Sequence, residues 1–592
     1  MRQEPSGQFL LLAAVVTMSL LLVGCGSRSP SAPKPQAPAA PAAAAHDRWP
    51  EFAGAFIESY FRVNPFFAVQ AGRHEFDGQM SDWSASAIAA EVARLHSQRT
   101  EAQAFDAGML SASEQLEREI VLSVIDGHLF WLERAQSPFT NPAWYLGQLD
   151  PDVYLNRAYA PLAVRMRGFI GYLRAIPKLA AEIRANLRTP LPPSFVQRGI
   201  DDFGGYTEFF RNDGPKVFAT VQDRAAQKDL AEASAAAADA MAGLKKWLEG
   251  ERAHAAGHFA LGEPLFLEML RATERVDIPI AELLEAGRAD LERNTQALTA
   301  ACAQYLPGGT VRACVERMRA DKPQGGAVDG ARAQLTQLRG FILAKSIVTI
   351  PGDELPQVAE APAYNRSNVA YINVPGPYEK GVGYTYNIAP PDPAWSAQER
   401  ADYIPGRASL LYTSVHEVWP GHFLQFLYSN RNPSKVAALW VGYAYAEGWA
   451  HYCEEMMWEQ GLGSGDAGQH VGQLTDALLR DVRYLSAIGL HTRGMTPAES
   501  DRMFRERAYT DPGNARQQAA RGTFDPEYLK YTLGKLMIRK LRADWVAQQP
   551  GAASAADPRQ YWHAFHDKFL SYGGPPIPLV RKAMVGEGGS LF

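Results

Sequence analysis

The run His416-Glu417-Val418-Trp419-Pro420-Gly421-His422 brings two imidazoles and a carboxylate into one short stretch. Zinc peptidases use this combination to supply two metal ligands and a general base. The usual spacing of such histidines is i, i+4, about 40° apart around a helix. Here it is i, i+6, which on a regular helix separates the side chains by about 120° and about 9 Å along the axis. Both could not then reach one ion at about 2.0–2.1 Å. Pro420 and Gly421 offer a way round. Pro420 cannot donate a backbone hydrogen bond, and its ring clashes with the carbonyl of His416; Gly421 admits backbone angles that other residues avoid. The sequence therefore predicts a break or bulge at residues 418–421 that turns His422 back toward His416. The plainer alternative is a kinked helix carrying two unrelated histidines.

A third ligand is offered by Glu447, in Ala446-Glu447-Gly448-Trp449-Ala450, within a helical pattern from about residue 434 to 461. A carboxylate from a following antiparallel helix is the standard third protein ligand of such sites, leaving the fourth position for water. Glu454 shares the face of Glu447 and is placed to orient an imidazole from behind. His451 lies on that face too and is the rival ligand. A solvated charge is the bland alternative for Glu447, but Tyr443, Ala444, Tyr445, Trp449 and Ala450 around it argue against full exposure. With Glu417 as base, peptide hydrolysis also needs a donor for the developing oxyanion, and Tyr531 and His491 are the candidates. A buried tyrosine and a satisfied core histidine are their alternatives. Other histidines carry less. His254 and His258 lack a complete ligand set, His563 and His566 lie among aromatic residues, and His74-Glu75 has no second histidine.

The elements that must position these groups are helical. With 592 residues, 46% hydrophobic and 21% charged, the chain can bury a large core. The 59 basic and 64 acidic side chains give a net charge of -5 with no basic stripe, which excludes a nucleic-acid partner. Ser111 and Glu114 have capping-box spacing ahead of an amphipathic run. Helical stretches follow at 162–187 (interrupted by Pro177), 230–248 and 280–306. Residues 369–374 and 384–388 are rich in β-branched and aromatic side chains and read as two short strands. The second could pair with an extended peptide substrate or simply complete a hairpin. After Pro390, Pro391 and Pro393 the helices return. The fold class is mainly α, with a catalytic domain over 49–592 divided into an N-terminal helical half, 49–345, and a metal-site half, 346–592.

The N-terminus reads as an export signal over 1–24, with Arg2 before an uncharged apolar run at 9–23. Leu22-Val23-Gly24-Cys25 resembles a lipobox, implying cleavage before Cys25 and a diacylglycerol anchor on its thiol. Gly26 favours the outer membrane, facing the periplasm. An ordinary secretory signal with a chance cysteine is the alternative. Residues 25–48, rich in Pro and Ala, form a tether. Cys302 and Cys314 flank a Pro-Gly loop and can pair in an oxidising envelope, while Cys453 reads as a small core residue.

The same residues resemble the bacterial family catalogued as domain of unknown function 885. Its His-Glu-x-x-Pro-Gly-His and Glu-Gly-Trp-Ala runs match residues 416–422 and 447–450. Residues 72–78 (Gly-Arg-His-Glu-Phe-Asp-Gly) look like its N-terminal signature, and Gly489-Leu490-His491 matches too. Tyr531-Thr532-Leu533-Gly534-Lys535 looks like its Tyr-x-x-Gly-Lys run, and an insertion between Asn514 and Glu527 departs from the family pattern. The resemblance implies a mostly helical, gluzincin-type fold similar to thimet-oligopeptidase and carboxypeptidase-like enzymes. It also implies zinc ligation by His416, His422 and Glu447. The activity expected is zinc-dependent hydrolysis of peptide bonds in short peptides. The alternatives are a zinc amidase acting on peptidoglycan or a small amide, and a non-catalytic peptide-binding lipoprotein. Glu417 speaks against the last, since a pure binding site needs no base.

Overall fold

The computed structural model of the chain describes residues 42–592, apart from 363–365, 367–368 and 394. The signal peptide expected over 1–24, the lipidation site Cys25 and most of the tether lie outside the described residues. A helix already spans Ala42–Val63, so regular structure begins ahead of the start expected at Trp49.

Two hydrophobic cores organise the described residues. The first gathers Trp49, Phe56, Leu95, Ile125, Tyr145, Phe169, Phe203 and Leu244 from the N-terminal helices. The second is built from Phe266, Leu291, Leu338, Tyr412, Trp449, Leu478 and Phe569. Helices Ile280–Tyr305 and Ala327–Lys345 therefore pack with the metal-site half, and the cores divide near residue 250 and not at 345. Periodicity reports that a helix has an apolar face, not which neighbour covers it. Val436, Ala437 and Leu439 cross into the first core and tie the halves together.

Local signals explain most helix ends. Ser111 and Glu114 form the reciprocal capping box that starts Ala112–Leu129. The helix Leu162–Asn186, by contrast, runs through Pro177 without interruption. Burial of Leu173, Ile176, Leu179, Ala180 and Ile183 along one face outweighs the one backbone bond that proline removes. The pattern expected as one helix over 434–461 splits into Lys435–Leu439 and Tyr443–Glu459. Between them the Gly442 N–H leaves the helical ladder to donate to the Gly574 carbonyl at 2.7 Å. Cys302 and Cys314 are joined by a disulfide with Cα atoms 5.7 Å apart.

The β element has three strands, ordered β1-β3-β2: β1 is Gln357–Glu360, β2 is Ala370–Asn373 and β3 is Thr385–Ile388. β2 and β3 pair antiparallel, Ala370 opposite Ile388, and β1 joins β3 in parallel, Gln357 opposite Thr385. Since β3 is paired on both sides, it cannot receive a peptide along its backbone. Within this sheet, the free edge nearest the histidines belongs to β2.

Candidate metal centre

The two histidines lie on separate helices. His416 is the last residue but one of Arg407–Glu417, and His422 begins His422–Asn430. Between them the hydrogen-bond ladder widens: the Trp419 N–H donates to Ser414 O at 3.2 Å and the Gly421 N–H to Val415 O at 3.0 Å. The Trp419–Pro420 peptide is cis. A Cβ on Gly421 would lie 1.8 Å from the His416 carbonyl oxygen, so only glycine lets the chain fold back this tightly. The loop is fastened from the third ligand's helix, Tyr443–Glu459. The Trp449 indole N–H donates to the Pro420 carbonyl at 2.8 Å, and the Cys453 thiol approaches the same oxygen at 3.7 Å.

This doubling-back brings the imidazoles together. Their ring centroids are 4.8 Å apart and the ring planes nearly perpendicular, at 89°. His416 Nε2 and His422 Nε2 lie 3.2 Å and 3.4 Å from Glu447 Oε2. Those separations match the roughly 3.3 Å that tetrahedral ligands at about 2.0–2.1 Å impose. Ligand atoms of His416, His422 and Glu447 all lie within 4.8 Å of one another. Glu447 Oε2 and His422 Nδ1 are buried without a hydrogen-bond partner, so the group converges without satisfying itself. Behind it, His416 Nδ1 meets Glu454 Oε1 at 2.7 Å, and Glu454 is held in turn by Arg480 at 3.0 Å. Burial lowers the His416 pKa, but Glu447 and Glu454 override it and push the imidazole up to about 9. Burial acts against the charged form of Glu447 as well, yet the two imidazoles hold its carboxyl well below the usual range. The carboxylates of Glu447 and Glu454 thus favour a positive charge where the three ligand atoms meet, and donor set and spacing fit a zinc ion.

Glu417 points into this region from the end of the His416 helix. Burial raises its pKa, against the neighbouring imidazoles and a hydrogen bond from the Ile372 backbone on β2. Tyr531 stacks with His416 at a centroid distance of 6.3 Å, beside the cluster. Most of the insertion that departs from the family pattern continues the helix Pro512–Phe524. Lys535, one turn after Tyr531, is fully buried and ion-paired to Asp290, with Glu455 at 3.8 Å and Asp481 at 3.9 Å. That hub locks the Tyr531 helix, Lys530–Ala547, to its neighbours.

Two other candidates are corrected. His491 is no oxyanion donor, because both ring nitrogens serve the backbone. Nδ1 accepts the Leu261 N–H at 3.3 Å, so Nε2 carries the proton and donates to Gly522 O at 2.8 Å. His451 does not join the ligand cluster: its Nδ1 faces Glu454 at 3.4 Å. Sequence reasoning missed Tyr443, which stands one helical turn before Glu447 with its ring 5.8 Å from Tyr531. It also missed Arg480 and the fastening role of Trp449. Residues 72–78 act at a distance. His74 meets Glu379 at 3.2 Å and Arg157 meets it at 3.0 Å, so the loop following β2 is clamped to the N-terminal half. A cavity of about 540 Å³ opens there, between Tyr371, Ile372 and Asn373 on one side and Phe67, Phe426 and Leu439 on the other.

The fold and site together define a mainly helical protein that gathers two histidines and a glutamate at a helix break. The chain belongs to the bacterial family of proteins of unknown function DUF885, which it matches over residues 65–584. Among solved structures it is similar to a protein of unknown function from Shewanella oneidensis, provisionally designated a lipoprotein. The TM-score is 0.74 at 23% identity, covering 90% of this chain and 99% of that one. A second structure, a provisionally designated lipoprotein from Colwellia psychrerythraea, gives a TM-score of 0.75 at 17% identity over 91% and 98% of the two chains. At these identities the likeness shows a shared fold. No curated protein matches.

Proposed function

We propose that this chain is a zinc-dependent peptidase of the bacterial cell envelope, acting on short peptides and anchored by lipid on Cys25. The observation that carries the reading is the convergence of His416, His422 and Glu447 at 3.2–3.4 Å across a broken helix, with Glu417 beside them. His416 and His422 would hold the ion through Nε2, with Glu454 fixing the orientation of His416 from its Nδ1 side. A zinc ion held there would supply Lewis acidity, acidifying water and polarising a substrate carbonyl. Glu417 would take the proton of the attacking water and deliver it to the leaving amine nitrogen. The Tyr531 hydroxyl would donate to the carbonyl oxygen as charge develops on it. β2, in place of β3, would present its outer edge to an extended substrate beside the Ile372 N–H that Glu417 holds, and the cavity beyond it has the size of small-molecule and short-peptide sites.

The anchor is supported by the lipobox-like run ending at Cys25 and by the lipoprotein designations of the two similar structures. Among the described residues no helix is long and apolar enough to cross a membrane. Gly26 supports outer-membrane placement, facing the periplasm. The deciding experiment exposes the purified mature chain to a peptide library with and without a chelator. Chelator-sensitive cleavage that zinc restores is expected; a zinc-loaded protein that cleaves nothing would end the reading. For the anchor, wild type should partition into detergent and Cys25→Ser should remain in the aqueous phase.

A further inference from the structure

Three arginines lie beside the metal cluster, and two of them have a carboxylate of their own. Arg480, Arg483 and Arg521 gather around two tyrosines: the Arg480 and Arg483 guanidinium carbons lie 5.8 Å and 5.1 Å from the Tyr531 ring centroid. Arg521 donates to the Tyr443 hydroxyl at 3.1 Å. Arg480 has Glu454 at 3.0 Å and Arg521 has Asp525 at 2.8 Å. Arg483 pairs with no carboxylate among the described residues. Its Nε donates to Gln518 Oε1 at 2.8 Å, and its two Nη groups make no hydrogen bond there. Arg483 is partly exposed, so an acceptor from solution can reach these groups. Burial lowers the Arg483 pKa, and the nearby Arg521 and Arg480 charges lower it further.

The exposure pattern says where an acceptor would enter. Arg483, Arg521, Tyr443, Tyr531, Glu447 and Glu417 are all partly exposed. Their helix neighbours Val482, Tyr484, Ala444, Tyr445 and Thr532 are wholly buried. Solvent thus reaches side chains both at the metal cluster and at Arg483. Tyr531 stands between the two, 6.3 Å from the His416 ring and in contact with Arg483. One to three residues of extended peptide, at roughly 3.5 Å each, cover that reach.

We infer that Arg483, supported by Arg521 and the Tyr443–Tyr531 pair, is a carboxylate-binding subsite that selects peptides with a free C-terminus one to three residues past the scissile bond. The inference rests on the peptidase reading for the words "scissile bond", but the subsite itself can be tested by binding alone. A guanidinium fork with both Nη groups available takes a carboxylate bidentately, which an amide cannot match.

The test is calorimetric binding to the zinc-supplemented mature chain carrying Glu417→Gln, which holds ligand without turnover. The probes are N-acetyl-trialanine, its C-terminal amide, and an N-acetyl tripeptide amide with a central glutamate. The free acid is expected to bind on the order of 10- to 100-fold tighter than the amide, the range of one charge-assisted contact. Arg483→Gln should erase that ratio and Arg483→Lys should keep part of it, both with unchanged melting temperature. Equal binding of acid and amide, or a ratio that survives Arg483→Gln, overturns the subsite. A glutamyl amide that binds as well as the free acid overturns its assignment to the C-terminus. Acid preference that depends on Arg483, in a protein whose wild type cleaves no peptide, would sustain the subsite while the peptidase reading fell.

Discussion

His416 and His491 are both buried, 5% and 2% exposed, yet their pKa values move in opposite directions. Burial alone carries His491 down to about 4. Around His416 the same burial is overridden by Glu447 and Glu454, and the value rises to about 9. The difference lies in where the ring nitrogens point. His491 joins the Leu261 N–H to the Gly522 carbonyl and has nothing left to offer. His416 commits Nδ1 to Glu454 and turns Nε2 toward Glu447 and His422. A buried histidine with both nitrogens on the backbone is a fastener, whereas one with a nitrogen aimed at other ligand atoms is a candidate for chemistry.

Substitutions can break this comparison, and the largest effect belongs to Glu447→Ala. It should reduce both bound zinc and turnover to background, read by metal analysis and a peptide assay on one preparation. If zinc survives there and falls instead in His451→Ala, the third ligand is misassigned. Glu417→Gln should cost on the order of 10²- to 10⁴-fold in turnover while zinc content stays near wild type. Full activity in that variant would sink the proposed role of the base. Glu454→Ala should weaken zinc affinity by roughly 10- to 100-fold, the usual effect of losing a partner behind a ligating imidazole, measured by competition with a chromophoric chelator.

His491→Leu should sharpen the contrast from the other side. Zinc content and affinity stay as in wild type, and denaturant unfolding shows a loss of about 1–3 kcal/mol for each backbone group left unpaired. Zinc loss in His491→Leu would erase the distinction between the two histidines. The smallest signal is a pH dependence. The folded His491 pKa of about 4 lies below its ordinary 6.5, so between these values the unfolded chain binds a proton that the folded chain refuses. The stability this group contributes is complete above about pH 6.5 and is lost as pH falls toward 4. The full swing is on the order of 3 kcal/mol. Unfolding midpoints at pH 7.5 and 4.5 should drop less in His491→Leu than in wild type.

The mainly helical fold class was legible in the sequence, and so was the break between the two histidines. Pro420 and Gly421 announce a helix break because one lacks a donor and the other lacks a Cβ, both local facts. Glu447 and Glu454 follow from helical spacing. Arg480 and Arg483 carry no such mark, since an arginine with a buried partner and one without look the same in sequence. His491 misled for a related reason: Leu261 and Gly522, which occupy its nitrogens, are far from it in the chain. β1 was missed because Gln357-Val358-Ala359-Glu360 has little strand character of its own; β3 recruits it in parallel. Likewise Pro177 forecast a break that the packing of its helix face prevents.

Gly448 and Gly534 meet where the Glu447 and Tyr531 helices cross. A Cβ on Gly448 would fall 2.5 Å from the Gly534 Cα, and one on Gly534 would fall 2.0 Å from the Ala444 carbonyl oxygen. The Glu-Gly-Trp-Ala and Tyr-x-x-Gly-Lys runs, far apart in the chain, are therefore two halves of one joint. Neither glycine can acquire a side chain by itself without driving Tyr531 away from Glu447. In the history of such chains the two positions should behave as a single inherited character, kept together or abandoned together.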